Sequence, residues 1–395
     1  MFNKNLLLLV LSQVFSFTAA PITVFLSGIV GSSMTSVKTL ATLPVALMIV
    51  GTSLGSIFAA FLMSKIGRKL GFMIGCIITS FAGLLAAFSV INFFFILFCF
   101  SNFLVGLGTA FSSQYRFAAA ESVQKKYIPK SISAILLASM LGALLGPNIA
   151  SLTKDIISTS TYSGSYLFLS FLTIIPIIFF IFYTNEKSNN EYIEKNKITR
   201  NYSELLFQPK FTQAVVGAAI GYATMSFLMT ATPISMHIFD GMSINKTGFV
   251  IQAHILSMFL PSLFTASLIN KYGHSKIMYF GIVFFFICIF INFLGHNFYN
   301  YLFSLMLLGL GWNFLFVSGT SLLILSYEPH EKFKAQGLND FLVFTTQATG
   351  ALAAGYLLYL TNWKFINIVC LPLLIFVLLA TLYADKITNN KKHIS

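Results

Sequence analysis

Ser64-Lys65-Ile66-Gly67-Arg68-Lys69 is a short basic turn between two long apolar runs. A related turn, Asn270-Lys271-Tyr272-Gly273-His274-Ser275-Lys276, recurs in the second half of the chain, again between apolar runs. The pair reads as matching cytoplasmic loops in two halves of one duplicated membrane protein. The rest of the chain can be placed from these two turns.

Composition sets the solvent. Of 395 residues, 57% are hydrophobic and 9% charged, and the mean hydropathy is +0.84. A soluble domain carries roughly 25% charged residues, so lipid must surround most of this chain. One crossing takes about 20 apolar residues, which leaves room for roughly a dozen. The net charge of +13 does not point to nucleic acid, because the Lys and Arg sit in short turns and tails rather than in a basic stripe. Cys76, Cys99, Cys288 and Cys370 all fall inside apolar runs, without metal-ligand spacing. No phosphate-binding Gly-x-x-x-x-Gly-Lys-Ser/Thr loop is present, and no nucleophile–His–acid set lies outside the apolar runs. The chain is therefore not expected to be an enzyme, nor to hold a metal or cofactor.

The apolar runs predict an all-α membrane protein with twelve spans. They lie near 5–30, 39–63, 70–91, 93–120, 132–153, 165–184, 211–236, 247–269, 277–295, 301–326, 338–360 and 365–383. The first run continues through Pro21 to Val30, too long for the core of a cleaved signal. Residues 1–184 form one expected six-helix bundle, 185–210 a polar cytoplasmic linker, and 211–395 a second bundle with a polar tail. With both termini inside, 20 of the 24 Lys and Arg lie on the cytoplasmic side and 4 on the other. That bias matches the positive-inside rule and supports an even number of spans.

The halves repeat elsewhere. Gly106-Leu107-Gly108 in span 4 answers Gly309-Leu310-Gly311 in span 10. Each is followed by a Pro-bearing loop, Tyr127-Ile128-Pro129-Lys130 and Tyr327-Glu328-Pro329-His330. Duplicated six-span bundles are a common transporter plan, with the solute site between the halves.

The turn itself resembles the Gly-x-x-x-Asp-Arg-x-Gly-Arg-Lys loop of the major facilitator superfamily. Gly67, Arg68 and Lys69 match, and Lys65 stands for the Arg. Ser64 replaces the Asp and Ala60 the first Gly, while Asn270, Lys271 and Gly273 occupy the corresponding places in the second half. The resemblance implies two pseudo-symmetric bundles and solute transport by alternating access. It also implies a gating role for this loop. Gly67 permits a tight reversal, and Arg68 and Lys69 can meet the carbonyl end of a neighbouring helix. The alternative is that these residues only set topology.

Two further segments carry implications of the resemblance. Asn102 stands where the family often has an Arg tied to proton coupling, so coupling through that position is not expected. Gly142-Ala143-Leu144-Leu145-Gly146-Pro147 is similar to part of an antiporter pattern, with Ala150 where a Gly is usual. Gly142 and Gly146 allow close helix approach and Pro147 a bend. Gln114-Tyr115-Arg116, Gln252-Ala253-His254, Gly311-Trp312-Asn313 and Gln336-Gly337-Leu338-Asn339-Asp340 resemble one bacterial subgroup that includes proposed riboflavin transporters.

Ionisable groups inside spans are costly and suggest function by default. Arg116 is either an anchor for an anionic or carbonyl-bearing solute or an ion-pair partner of Glu121 or Asp340 that closes a gate. Gln114 and Tyr115 lie beside it. His254 is either a proton or solute contact or a neutral His bonded to a neighbouring helix. Gln252 is close in sequence but about 200° away around the helix axis. Asp340 is either a proton site or a carboxylate at a helix N-terminus. Trp312 either stacks on a flat solute ring or packs the core. Asn313 beside it and Gln13 in span 1 are further wall candidates.

The leading expectation is a monomeric, multi-pass secondary carrier of a bacterial inner membrane. It would move a small organic solute, with or without a coupling proton. Uptake of a vitamin-like aromatic compound such as riboflavin competes with proton-coupled efflux of drugs or siderophores. A non-transporting sensor on the same fold is the rival from another class.

Overall fold

A computed structural model describes residues 3–37, 40–185 and 199–392. The expected linker at 185–210 thus lies outside the described residues for 186–198. Lys38 and residues 393–395 lie outside them as well. Among the described residues the regular structure is entirely helical, and eleven helical segments are long and apolar enough to cross a membrane. Helix is the form an apolar chain must take in lipid if each backbone N–H and C=O is to find a partner within its own segment. Large apolar side chains such as Ile96, Leu152 and Phe61 lie on the outside, as lipid-facing residues do.

The N-terminal helices are α1 (Lys4–Ser16), α2 (Ala19–Met34), α3 (Leu43–Ile91), α4 (Phe95–Ser113), α5 (Tyr115–Glu121), α6 (Ile128–Thr153), α7 (Ser163–Ile174) and α8 (Pro176–Ile181). After the undescribed stretch come α9 (Tyr202–Leu206), α10 (Pro209–Pro233), α11 (Ile244–Phe259), α12 (Ser262–Tyr272), α13 (His274–Leu294), α14 (Phe298–Ile324), α15 (Lys332–Leu360) and α16 (Trp363–Lys392). Several divisions have a plain cause in proline. Pro21 and Pro176 have no N–H for the carbonyl four residues back, and the helices part at Phe17–Thr18 and at Ile175. Pro233 ends α10 in a π-helical segment, Ile234–Phe239, and Pro261 separates α11 from α12.

Helix α3 has 49 residues, but Gly67 within it has φ 81° and ψ 167°. An unbroken helix of that length would run roughly 70 Å, more than twice a hydrocarbon core of about 30 Å. Gly273 has φ 87° and ψ 162° between α12 and α13. The two turns therefore share one left-handed backbone conformation, which glycine alone adopts without strain.

Chain contacts form two compact units. Unit 1 takes in the described residues of 1–127, 134–193 and 336–344, and unit 2 those of 128–133, 194–335 and 345–395. In unit 1, α3 packs on α4 and α7 around Ile22, Leu26, Ala82, Ala86, Phe98, Val105 and Leu169. In unit 2, α14 packs on α10, α11 and α13. The repeated Gly-Leu-Gly does the same work in each. A Cβ on Gly106 would lie 1.9 Å from the Met48 carbonyl oxygen, and one on Gly108 would lie 2.0 Å from Thr79 Oγ1. A Cβ on Gly309 would lie 2.8 Å from the His254 carbonyl oxygen, and one on Gly311 2.8 Å from that of Gly281. Backbones meet at these points, and side chains would hold them apart.

Candidate functional site

Unit 1 contains two linked charge clusters. In the first, Arg68 forks onto Glu121, with Nε donating to Oε2 at 2.9 Å and Nη2 to Oε1 at 2.6 Å. Gln336 closes the cluster. Its Oε1 accepts from Arg68 Nη2 at 2.7 Å, and its Nε2 donates to Glu121 Oε1 at 2.8 Å. The carboxylate missing at Ser64 is thus supplied from the end of α5. Ser64 instead donates to the Phe61 carbonyl within its own helix. Lys69 Nζ reaches the Ile181 carbonyl at 2.6 Å, the last residue of α8, and the Lys69 N–H donates to Asn185 Oδ1 at 2.9 Å. Lys65 lies over the Phe61 ring.

In the second cluster, Asp340 is fully buried and accepts four bonds. Arg116 Nη2 donates to Oδ1, which also accepts from Asn339 Nδ2 at 3.0 Å. Gln114 Nε2 donates to Oδ2 at 2.9 Å, and Ser113 Oγ to the same atom at 3.1 Å. Arg116 also lies against the Phe117 ring, 4.5 Å from its centroid. Breaking a buried, bonded pair by removing one member costs roughly 3–5 kcal/mol. The structure decides two alternatives. The ion-pair partner of Arg116 is Asp340, while Glu121 pairs with Arg68. Asp340 does not open a helix either, because α15 begins at Lys332 and places it more than two turns inside. Gln336, Asn339 and Ser113 join these clusters although none of them is charged. Neutral side chains gave no sign in the sequence that they would complete charge clusters.

Gln13 and Tyr115 belong to the same unit. Gln13 Nε2 donates to Ser139 Oγ at 2.8 Å. The Tyr115 hydroxyl lies 3.1 Å from Ser16 Oγ, and its ring packs edge-on to Phe72 and Phe180. Gly142 faces the Val14 carbonyl and Gly146 that of Thr18, so α6 lies close against the break between α1 and α2. Pro147 lies inside α6.

Unit 2 holds the other candidates. His254 is fully buried, with Nδ1 2.7 Å from the Leu305 carbonyl oxygen on α14. Gln252 is exposed, in keeping with its different helix face. Asn313 has its amide bonded within the unit: Nδ2 donates to the Met258 carbonyl and to Ser262 Oγ, and Oδ1 accepts from Thr265 Oγ1, each at 2.7 Å. Trp312 is buried and stacked on Phe316 at 4.9 Å, with Tyr222 edge-on at 5.2 Å. Tyr222 is not legible as a ring partner in the sequence, because one Tyr in an apolar run carries no periodic signal. The Trp312→Ala variant is expected to lose about 3–5 kcal/mol of stability. A thermal melt in detergent measures the loss. Lys271 lies over the Tyr272 ring beside the Gly273 turn. Asn270, just before it, ends no helix, because α12 continues to Tyr272.

The end of the linker is fastened within unit 2. Arg200 Nε donates to Glu331 Oε1 at 2.8 Å, its Nη1 to Gln208 Oε1 at 2.8 Å, and Lys334 Nζ donates to the Arg200 carbonyl at 2.5 Å. The bond to Glu331 outweighs burial and holds the Arg200 guanidinium above its ordinary pKa.

Repeated helical units of apolar crossings with close backbone approaches make up a multi-pass α-helical membrane protein. The sequence pattern of the Major Facilitator Superfamily matches residues 6–243 and 214–394, and the chain belongs to that superfamily. It is similar to the riboflavin transporter RfnT of Brucella anthropi, 32% identical over 378 residues, which cover 95% of this chain and 94% of that one. It is also similar to the uncharacterized MFS-type transporter YdeG of Bacillus subtilis, 26% identical over 386 residues, with 90% and 86% covered. Among solved structures, the human organic anion transporter MFSD10 aligns with a TM-score of 0.76 at 14% identity, covering 96% of this chain and 99% of that one. That last likeness concerns the fold.

Proposed function

We propose that the chain is a secondary carrier of a bacterial inner membrane that takes up a vitamin-like aromatic solute, riboflavin being the first candidate. The observation that carries this reading is the whole-length likeness to a riboflavin transporter. The proposed carrier has twelve crossings with both termini inside, a reading supported by the break in α3 at Gly67 and by the 20-to-4 charge bias. Bundles at 1–184 and 211–395 alternate access about the linker, in a monomer. The turn at Ser64–Lys69 and its echo at Asn270–Gly273 are gating elements, together with Glu121 and Asp340.

Arg116 is the proposed anchor. It exchanges the Asp340 carboxylate for a carbonyl of the incoming solute, and Asp340 is the proposed site for a coupling proton. Gln114, Tyr115 and Gln13 in unit 1, and Gln252, His254, Trp312 and Asn313 in unit 2, are the proposed remaining contacts. Export is the second reading, favoured by the Gly142–Pro147 segment packed on the α1–α2 break.

Purified protein in proteoliposomes should accumulate labelled riboflavin, and excess unlabelled riboflavin should abolish the signal. Binding without flux, with or without a pH gradient, would favour the sensor reading. Flux only out of right-side-out vesicles would favour export.

A further inference from the structure

Three helix breaks of unit 1 meet at one small polar pocket. Ser16 is the last residue of α1, Tyr115 the first of α5, and Thr173 lies in the last turn of α7. These three line the pocket with Cys76, Thr79 and Ser112, and its volume is about 10 Å³. That is close to the least space that holds one water, about 10–15 Å³.

The hydroxyl directions define what fits. Thr79 Oγ1 donates to the Gly75 carbonyl, Ser112 Oγ to that of Thr109, and Thr173 Oγ1 to that of Leu169, each at 2.9 Å. Their hydrogens are committed to their own helices, so lone pairs are what they offer the pocket. Ser16 and Tyr115 share one hydrogen bond at 3.1 Å, and Cys76 Sγ lies 3.8 Å from the same Tyr115 hydroxyl, so these three groups hold three hydrogens for two contacts. A pocket edged mostly by acceptors, with one hydrogen to spare, takes a guest that both donates and accepts. No carboxylate lines it, so a bare cation would lack the opposite charge that a buried ion needs. Glycine at Gly75 and Gly108 keeps the space open, since a Cβ on Gly108 would strike Thr79 Oγ1.

We infer that this pocket is a binding site for a single structural water that bridges α1, α3, α4 and α7 where their neighbours break. A water at this level adds an exchangeable partner to hydroxyls that already bond within the protein, and it lets the breaks bend without orphaning a polar group. The site is independent of which solute is carried.

Radiolytic labelling of the full-length protein in nanodiscs tests the site. The probe is water enriched in the heavy oxygen isotope. A bound, exchanging water generates radicals beside Cys76: one takes the thiol hydrogen and leaves as water, a second combines with the thiyl radical to give the sulfenic acid, so this buried thiol should take up heavy oxygen several-fold more than Cys288, a fully buried thiol of unit 2. Thr79→Val and Ser112→Ala, which each remove one acceptor, should both lower labelling at Cys76 and leave Cys288 unchanged. Either variant suffices should the other fail to fold. Equal labelling at Cys76 and Cys288 overturns the inference. So does labelling that changes when choline replaces sodium, because an ion would then be the occupant.

Discussion

Arg116→Ala is expected to abolish solute flux while the protein still reaches the membrane. The guanidinium is one of four donors to a fully buried carboxylate. Its loss removes roughly 3–5 kcal/mol of pairing, or about a hundredfold or more in any step that needs the pair. Folding suffers less than that figure, because Asp340 can take a proton and keep its bonds from Gln114, Ser113 and Asn339. The double variant Arg116→Met with Asp340→Leu separates the two effects. It should recover thermal stability, as apolar replacements of buried ion pairs often do, and still fail to transport. Near-wild-type flux in Arg116→Ala, measured in proteoliposomes at matched protein density, would remove Arg116 from the site.

Gly106→Val should sharply lower the yield of folded protein. The new Cβ would sit 1.9 Å from the Met48 oxygen and 2.9 Å from the Thr52 nitrogen. Both are backbone atoms, so no side chain can swing aside, and α3 and α4 must separate along their contact. Overpacking of a tight core costs about 1–3 kcal/mol and at times more, and this contact belongs at the high end. Gly309→Ala, with its nearest atoms at 2.8–3.0 Å, should be milder. Size-exclusion profiles of tagged protein in detergent would show the order. A monodisperse Gly106→Val peak at wild-type height would contradict the close-approach argument.

Much of the fold could be read before any coordinates. The two basic turns predicted a repeat, and Gly67 and Gly273 share one backbone conformation. The Gly-Leu-Gly pairs marked backbone crossings, since only the smallest residue fits there. Pro21 and Pro176 carry the signal for breaks in the first and sixth spans, which their apolar runs alone present as single helices. The charge clusters were only half legible. A missing carboxylate at Ser64 is visible in one line of sequence, but its replacement lies at Glu121, and only the packing of α5 beside the turn brings it there. Spacing could not name Asp340, which is 224 residues from Arg116 along the chain, and Glu121, though it ends the same helix, lies about 140° around its axis. For His254 and Gln252 the helical angle was informative, since one is buried and the other exposed.

The fastening of Asn185 to the Lys69 backbone and of Arg200 to Glu331 bears on the chain's continuity. Each end of the linker is tied within its own unit, so neither unit's boundary turn depends on the covalent thread that joins them. Tension along the chain between them is therefore borne first at Asn185 and Arg200 rather than by the helices of either unit.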